Sequence, residues 1–210
     1  MSTTSKRAYN STRREQAAEA TRAAVLDAAR ALFSASDIEV IQIVDVAKAA
    51  GVSTSTVYAI FKSKAGIVRA LMEQTLFGRI TQSALSQIEG ESDPVRLIEL
   101  TPEVARAIYE GEARELGRIR DLSASSPMLR ELEREFEQRR FEMQEKRIVE
   151  LFACGRGKRG LDIETARRIL WMYTSRDIYR MLVTEGGWSP EAYEKWLRSA
   201  LVTTLIEPAD

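Results

Sequence analysis

Apolar residues recur at helical spacing along almost the whole chain. Val25, Ala28, Ala29, Leu32 and Phe33 stand at i, i+3, i+4, i+7 and i+8, one stripe of an amphipathic helix. Near the other end, Tyr193, Trp196, Leu197, Ala200, Leu201, Thr204 and Leu205 continue the same series to i+12. Asp93-Pro94, Thr101-Pro102, Ser126-Pro127 and Ser189-Pro190 each place a cap residue before a proline, the signature of a helix start. The spacing predicts helices over 13–35, 42–49, 53–61, 64–89, 94–110, 112–124, 127–154, 163–185 and 190–206. Thr101-Pro102 either splits or kinks the fifth. Apart from Ile38–Ile43 no β-branched run suggests a strand. The expected fold is all-α, about nine helices, with residues 1–12 a polar, flexible arm.

Composition narrows the chemistry. The chain has no histidine and one cysteine, Cys154. That excludes Ser–His–Asp triads, Cys–His dyads, histidine metal sites and internal disulfides, and no metal or cofactor is expected. Net charge is zero, yet residues 1–75 hold ten Lys/Arg against seven Asp/Glu, so the positive balance lies at the N-terminal end. No apolar run reaches the roughly 18–20 residues of a membrane span, and the first residues lack a signal peptide's apolar core. The expectation is a cytoplasmic protein with no membrane partner.

The most specific stretch runs from Ile43 to Tyr58. Val46, Ala47 and Ala50 share a face, Gly51 suits a left-handed helix end, Val52 plugs the turn, and Ser53 caps the next helix. Val57 and Phe61 return to the core. Thr54, Ser55, Thr56, Tyr58 and Ala59 then face outward, short groups suited to a DNA major groove, with Lys62 and Lys64 following. A plain helical corner with capping hydroxyls is the structural alternative.

The run Thr21–Met72 resembles the DNA-binding domain of the TetR family of bacterial transcriptional regulators. The resemblance rests on Ala28-Ala29, Leu32-Phe33, Val46-Ala47, Ala50-Gly51-Val52-Ser53, Thr56-Val57-Tyr58, Phe61, Ser63 and Lys64. It implies that Thr54, Ser55 and Ala59 lie nearest base edges, while Ser53, Thr56, Tyr58 and Lys64 hold phosphates. Gln42 takes the place of the family's capping threonine, and Val44 offers an apolar contact. Asp37 stands for the usual glycine and tolerates left-handed geometry, Ile60 replaces a common Tyr or His, and Ala65-Gly66 loosens the entry to the fourth helix. The arm, with Lys6, Arg7, Arg13 and Arg14, is either a solvated tail or a DNA-contacting segment.

The resemblance also implies a division into a DNA-binding domain over 1–62 and an effector-binding, dimerisation domain over 63–210. Phe77, Tyr109, Phe136, Met143, Trp171 and Tyr179 are candidates for an effector pocket or for ordinary core. Few charges fall on these apolar stripes, which suggests an apolar or aromatic effector. Tyr193, Trp196, Leu197, Ala200 and Leu201 are the expected homodimer interface. Met128–Glu150 reads as a solvated amphipathic helix with Leu129, Leu132, Phe136 and Met143 as its stripe. Gly155–Gly160 fits a dinucleotide fingerprint literally but follows no strand, so it reads as a basic flexible loop. Cys154 is an idle thiol or a redox sensor. The implied function is a ligand-responsive regulator, expected to repress as a homodimer on a palindromic double-stranded operator and to be released by a small-molecule effector. A carboxylate-based helical enzyme and a non-DNA adaptor are the competing classes.

Overall fold

The computed structural model describes residues 4–86, 88–121 and 126–208, and for 4–13, 76, 80 and 113–121 the backbone alone. The described residues contain α-helices and no strand. In chain order they are α1 (Thr4–Ala35), α2 (Ile43–Ala49), α3 (Thr54–Phe61), α4 (Lys64–Phe77), α5 (Arg79–Ser86), α6 (Pro94–Asp121), α7 (Pro127–Ala153), α8 (Ile163–Tyr173), α9 (Arg176–Tyr179) and α10 (Pro190–Leu205). A π-helical segment, Arg180–Glu185, continues α9.

The helical stripes form as expected, but several boundaries move. The 64–89 segment breaks at Gly78, and its residue Gln87 lies outside the described residues. The 94–110 and 112–124 segments are one helix through Pro102, as far as Asp121; residues 122–124 again lie outside the described set. Pro102 costs one backbone bond there, and its own ring is buried. The 163–185 helix stops at Thr174, and Ser175 caps α9 by accepting from Ile178 N at 3.3 Å. The arm is helical from Thr4 onward, continuous with α1, so the expected flexible arm is corrected; Met1–Thr3 and the Lys6, Arg7 and Arg13 side chains lie outside the description.

The chain divides into two compact units, residues 1–73 with 116–130, and residues 74–115 with 131–210. In the first, Val25, Leu26, Ala29 and Phe33 of α1 are buried with Ile38, Val46, Ala47, Val57, Phe61, Ile67, Val68 and Leu71. In the second, the core gathers Ile98, Tyr109, Ile148, Leu151, Leu170, Tyr179, Tyr193, Leu197, Leu201 and Leu205. The 155–160 segment is not a loose loop. Gly157 bridges Ile206, Lys158 N donates to Leu205 O at 2.9 Å, and Glu207 N to Arg156 O at 2.9 Å.

Candidate nucleic-acid interface

The turn between α2 and α3 is set by two residues. Gly51 adopts φ 67°. Val52 N donates to Ala47 O at 3.0 Å and Gly51 N to Lys48 O at 3.2 Å, the paired bonds of a Schellman helix end. Ser53 then caps α3, accepting from Thr56 N at 3.1 Å. Its hydroxyl also bonds Ser55 Oγ and Thr56 Oγ1, each at 2.8 Å. Ahead of α2, Asp45 Oδ2 accepts from Gln42 N at 2.8 Å and supplies the cap that glutamine lacks. Asp37 does not take left-handed geometry; its carboxylate accepts from Glu39 N at 3.0 Å and closes the turn that way.

With Val57 and Phe61 buried, the outer face of α3 is left to solvent. Tyr58 is 50% exposed and Val44 of α2 53%. Ser55, Ala59, Gln42 and Lys62 are exposed, while Ser53, also exposed, carries its hydroxyl into the cap; Thr54 and Thr56 are half-buried. Gln42, Val44, Thr54, Tyr58 and Lys64 come together around one shallow depression with Glu39, Ile41 and Ile43. The sequence reading missed Glu39, a carboxylate with no periodic signal to mark it.

Lys64 reaches back to the loop ahead of α2. Its Nζ donates to Ile38 O at 2.9 Å, Glu39 O at 3.2 Å and Ile41 O at 3.3 Å. An ammonium has three protons, and three carbonyl oxygens of the 38–41 loop lie within their reach. Lys64 ties that loop to the start of α4 and contributes positive charge to the face.

The α3–α4 junction is tighter than the expected loose entry. Ser63 N donates to Phe61 O at 2.8 Å across Lys62, whose φ of 66° is unusual for a residue with a side chain. A Cβ built on Gly66 would lie 1.9 Å from Phe61 O. Only glycine lets α4 begin this close to the end of α3. Ser63 Oγ caps α4 by accepting from Gly66 N at 3.1 Å. Arg22 lies 4.8 Å over the Phe61 ring and lines a second shallow depression with Lys62 and Arg69.

In the second unit the pocket candidates do not form one ring. Phe77 stacks on Phe136 at 5.9 Å, Tyr109 meets Tyr179 at 5.3 Å, and Trp171 meets Phe141 at 6.2 Å. Met143 is 51% exposed and lies off the stripe formed by buried Leu132, Phe136, Phe141, Ile148 and Leu151. Of the expected dimer residues, Tyr193, Leu197 and Leu201 are fully buried in the chain's own core and have no area left for a partner. Trp196 and Ala200 keep part of theirs. Trp196 joins a chain of edge contacts with Tyr173 at 6.0 Å and Trp188 at 6.2 Å, and Trp188 is 39% exposed. Cys154 is exposed, its thiol donating to Leu151 O at 3.2 Å.

A capped two-helix reading head with an exposed face of small polar groups defines a helix-turn-helix DNA-binding protein. Residues 25–71 match the family model described as bacterial regulatory proteins, tetR family. The matched segment is of a family of regulatory proteins. The whole chain shares its fold with NalD of Pseudomonas aeruginosa, the secondary repressor of the MexAB-OprM multidrug efflux pump (22% identity, TM-score 0.71, covering 91% of this chain and 100% of that one). It is also similar in fold to SmeT in complex with triclosan (16%, 0.67, 90% and 92%). A third is FadR of Bacillus subtilis with stearoyl-CoA (19%, 0.64, 86% and 97%). No curated protein matches the chain significantly by sequence. Among the described residues no helix is long and apolar enough to cross a membrane.

Proposed function

We propose that the chain is a cytoplasmic repressor that binds a palindromic operator as a homodimer and is released by a small-molecule effector. The observation that carries this reading is the exposure of Val44, Ser55, Tyr58 and Ala59, with the edges of Thr54 and Thr56, on one face of a rigidly capped helix pair. In this reading Thr54, Ser55 and Ala59 meet base edges, Val44 meets a thymine methyl, and Tyr58, Thr56, Gln42 and Lys62 hold phosphates. One short helix gives few base contacts, so two copies about 34–36 Å apart, or a multiple of that, are needed for specificity. Trp188, Trp196 and Tyr173 offer the partly exposed aromatic surface on which the second copy docks. Repression and an effector are supported by analogy with the solved structures: NalD is named a repressor, and SmeT and FadR were solved with small molecules.

The effector works by preferring one of two states, and it shifts operator affinity only by its differential affinity for them. α4 leaves the DNA-binding unit at Glu73 and enters the second unit, which makes it the lever. The test is a gel shift with DNA flanking the chain's own gene, against scrambled DNA, for wild type and Tyr58→Ala. Preference for one palindrome, lost in the variant, is the expected result; equal binding to both DNAs defeats the reading.

A further inference from the structure

The outward stripe of α3, Thr54, Ser55, Tyr58 and Ala59, runs on at the same helical spacing to Lys62, which is exposed. α3 has eight residues and is about 12 Å long, close to the roughly 12 Å width of a DNA major groove. With the residues at its start on base edges, its far end comes to the sugar-phosphate wall of the groove. A depression of about 380 Å³ opens at that end. Its walls come from three helices: Arg22 from α1, Lys62 and Ser63 from the close of α3, and Gly66, Arg69 and Glu73 from α4.

The balance around this hollow is three cations to one carboxylate, in a chain whose net charge is zero. Arg22 is half-buried, its guanidinium 4.8 Å over the centre of the Phe61 ring. A guanidinium lying on a ring keeps its N–H donors at its edge, and Arg22 pairs with no carboxylate of the described residues. Elsewhere the chain provides acids for half-buried arginines: Arg176 has Glu112 at 2.6 Å and Arg198 has Glu103 at 2.7 Å. Lys62 Nζ donates to Ala59 O at 2.9 Å, which uses one of its three protons. Its φ of 66° and the 2.8 Å bond from Ser63 N to Phe61 O hold it at the turn into α4. Gly66 lets α4 start against Phe61, the ring that Arg22 covers, so one hollow has walls from all three helices. Two guanidinium forks and an ammonium around an open hollow suit a group with several negatively charged oxygens, which a phosphate supplies.

We propose that this depression is a backbone clamp, in which Arg22, Lys62 and Arg69 take a phosphate of the DNA strand flanking the base pairs that α3 reads. The proposal rests on the DNA-binding reading above and adds α1 and the body of α4 to the contact surface. Arg22 and Arg69 are positioning residues: they carry affinity and its salt dependence, and leave sequence preference to α3.

The test uses the full-length protein and two labelled duplexes of equal length, one from the chain's own promoter region and one scrambled. Both are titrated from about 50 to 200 mM salt with wild type, Arg22→Gln, Arg22→Lys and Arg69→Gln, and thermal unfolding shows which variants are folded. Each phosphate neutralised contributes about 0.9 to the slope of log affinity against log salt. Arg22→Gln and Arg69→Gln should each lower that slope by about 0.9 per bound chain. At the lowest salt each should weaken binding by about 10-fold, the worth of one charged hydrogen bond, on both duplexes alike. Arg22→Lys keeps the charge and should keep the wild-type slope. Packing of Arg22 on Phe61 alone would move the unfolding temperature and leave the slope where it was. A wild-type slope in either folded glutamine variant, a loss confined to the promoter duplex, or an equal loss in Arg22→Lys would overturn the proposal. If Arg22→Gln does not fold, Arg69→Gln and Arg22→Lys decide by the same criteria. The two readings fail separately. Lowered slopes with a wild type that prefers neither duplex uphold the clamp and defeat the regulator reading; a wild-type preference with unchanged slopes does the reverse.

Discussion

Replacing Lys64 by glutamine separates two roles that the sequence alone merges. Lys64 Nζ serves three carbonyl oxygens, those of Ile38 and Ile41 partly buried and that of Glu39 exposed. A hydrogen bond from a charged group contributes roughly 1.5–3 kcal/mol. The Glu39 oxygen returns to water at little cost, so the loss is governed by the other two and comes to about 2–4 kcal/mol after partial rehydration. At about 1.36 kcal/mol per tenfold change, that is a roughly 30- to 1,000-fold loss of local protection. Hydrogen exchange followed on peptides covering residues 36–50 reads it directly, since those amides belong to the loop and to α2. DNA affinity should fall as well, because the α2–α3 head loses its support. The salt dependence should change little: a direct phosphate contact contributes a slope of about 0.9, and Lys64→Gln should remove well under that. Unchanged exchange together with a slope lower by about 0.9 would mean that Lys64 is a phosphate ligand and that the argument from its three carbonyls is wrong.

Other changes probe the remaining parts. Gly66→Ala places a methyl against Phe61 O and should cost about 1–3 kcal/mol by overpacking, measured by urea unfolding, whereas Lys62→Gly relieves a left-handed φ and should stabilise by about 1 kcal/mol. Leu201→Ala should cost about 2–5 kcal/mol at any protein concentration, while Trp188→Ala should leave folding intact and weaken self-association in sedimentation experiments. Glu112→Gln weakens the ion pair between buried Glu112 and half-buried Arg176 and should destabilise by about 1.5–3 kcal/mol. Thr165 holds the Asp162 carboxylate, the cap of α8, below its ordinary pKa of 3.8 through its N–H and hydroxyl. A depressed pKa stabilises the folded state above the unfolded value and ceases to do so as pH falls through the folded one. Wild type should therefore lose more stability than Asp162→Asn when acidified below about pH 4, as monitored by circular dichroism.

The reading head was legible because its determinants are local. A glycine at the helix end and a serine two residues on specify turn and cap within one short stretch, and Val57 and Phe61 declare the buried side by their spacing. Lys64 was not, since its partners lie 23 to 26 residues earlier and only the tertiary fold brings them together. The break after Tyr173 was hidden for a related reason: Thr174-Ser175 ends and restarts a helix without glycine or proline. The α10 stripe was read correctly as apolar but given to a partner, because periodicity marks a buried face without saying which chain buries it. On α7 the buried residues after Phe136 are Phe141, Ile148 and Leu151, a stripe that skips Met143 although Met143 stands seven residues from Phe136.

The most direct test of the central claim is a fluorescence-anisotropy titration of labelled DNA from the chain's own promoter region, against scrambled DNA, over a range of salt concentrations, for wild type and for Thr54→Ala and Tyr58→Ala proteins shown to be folded. The account predicts a preference for one palindromic fragment at two chains per site, an affinity that falls steeply with salt, and loss of the preference in both variants. Equal binding to every DNA, or a preference that survives both substitutions, would contradict it.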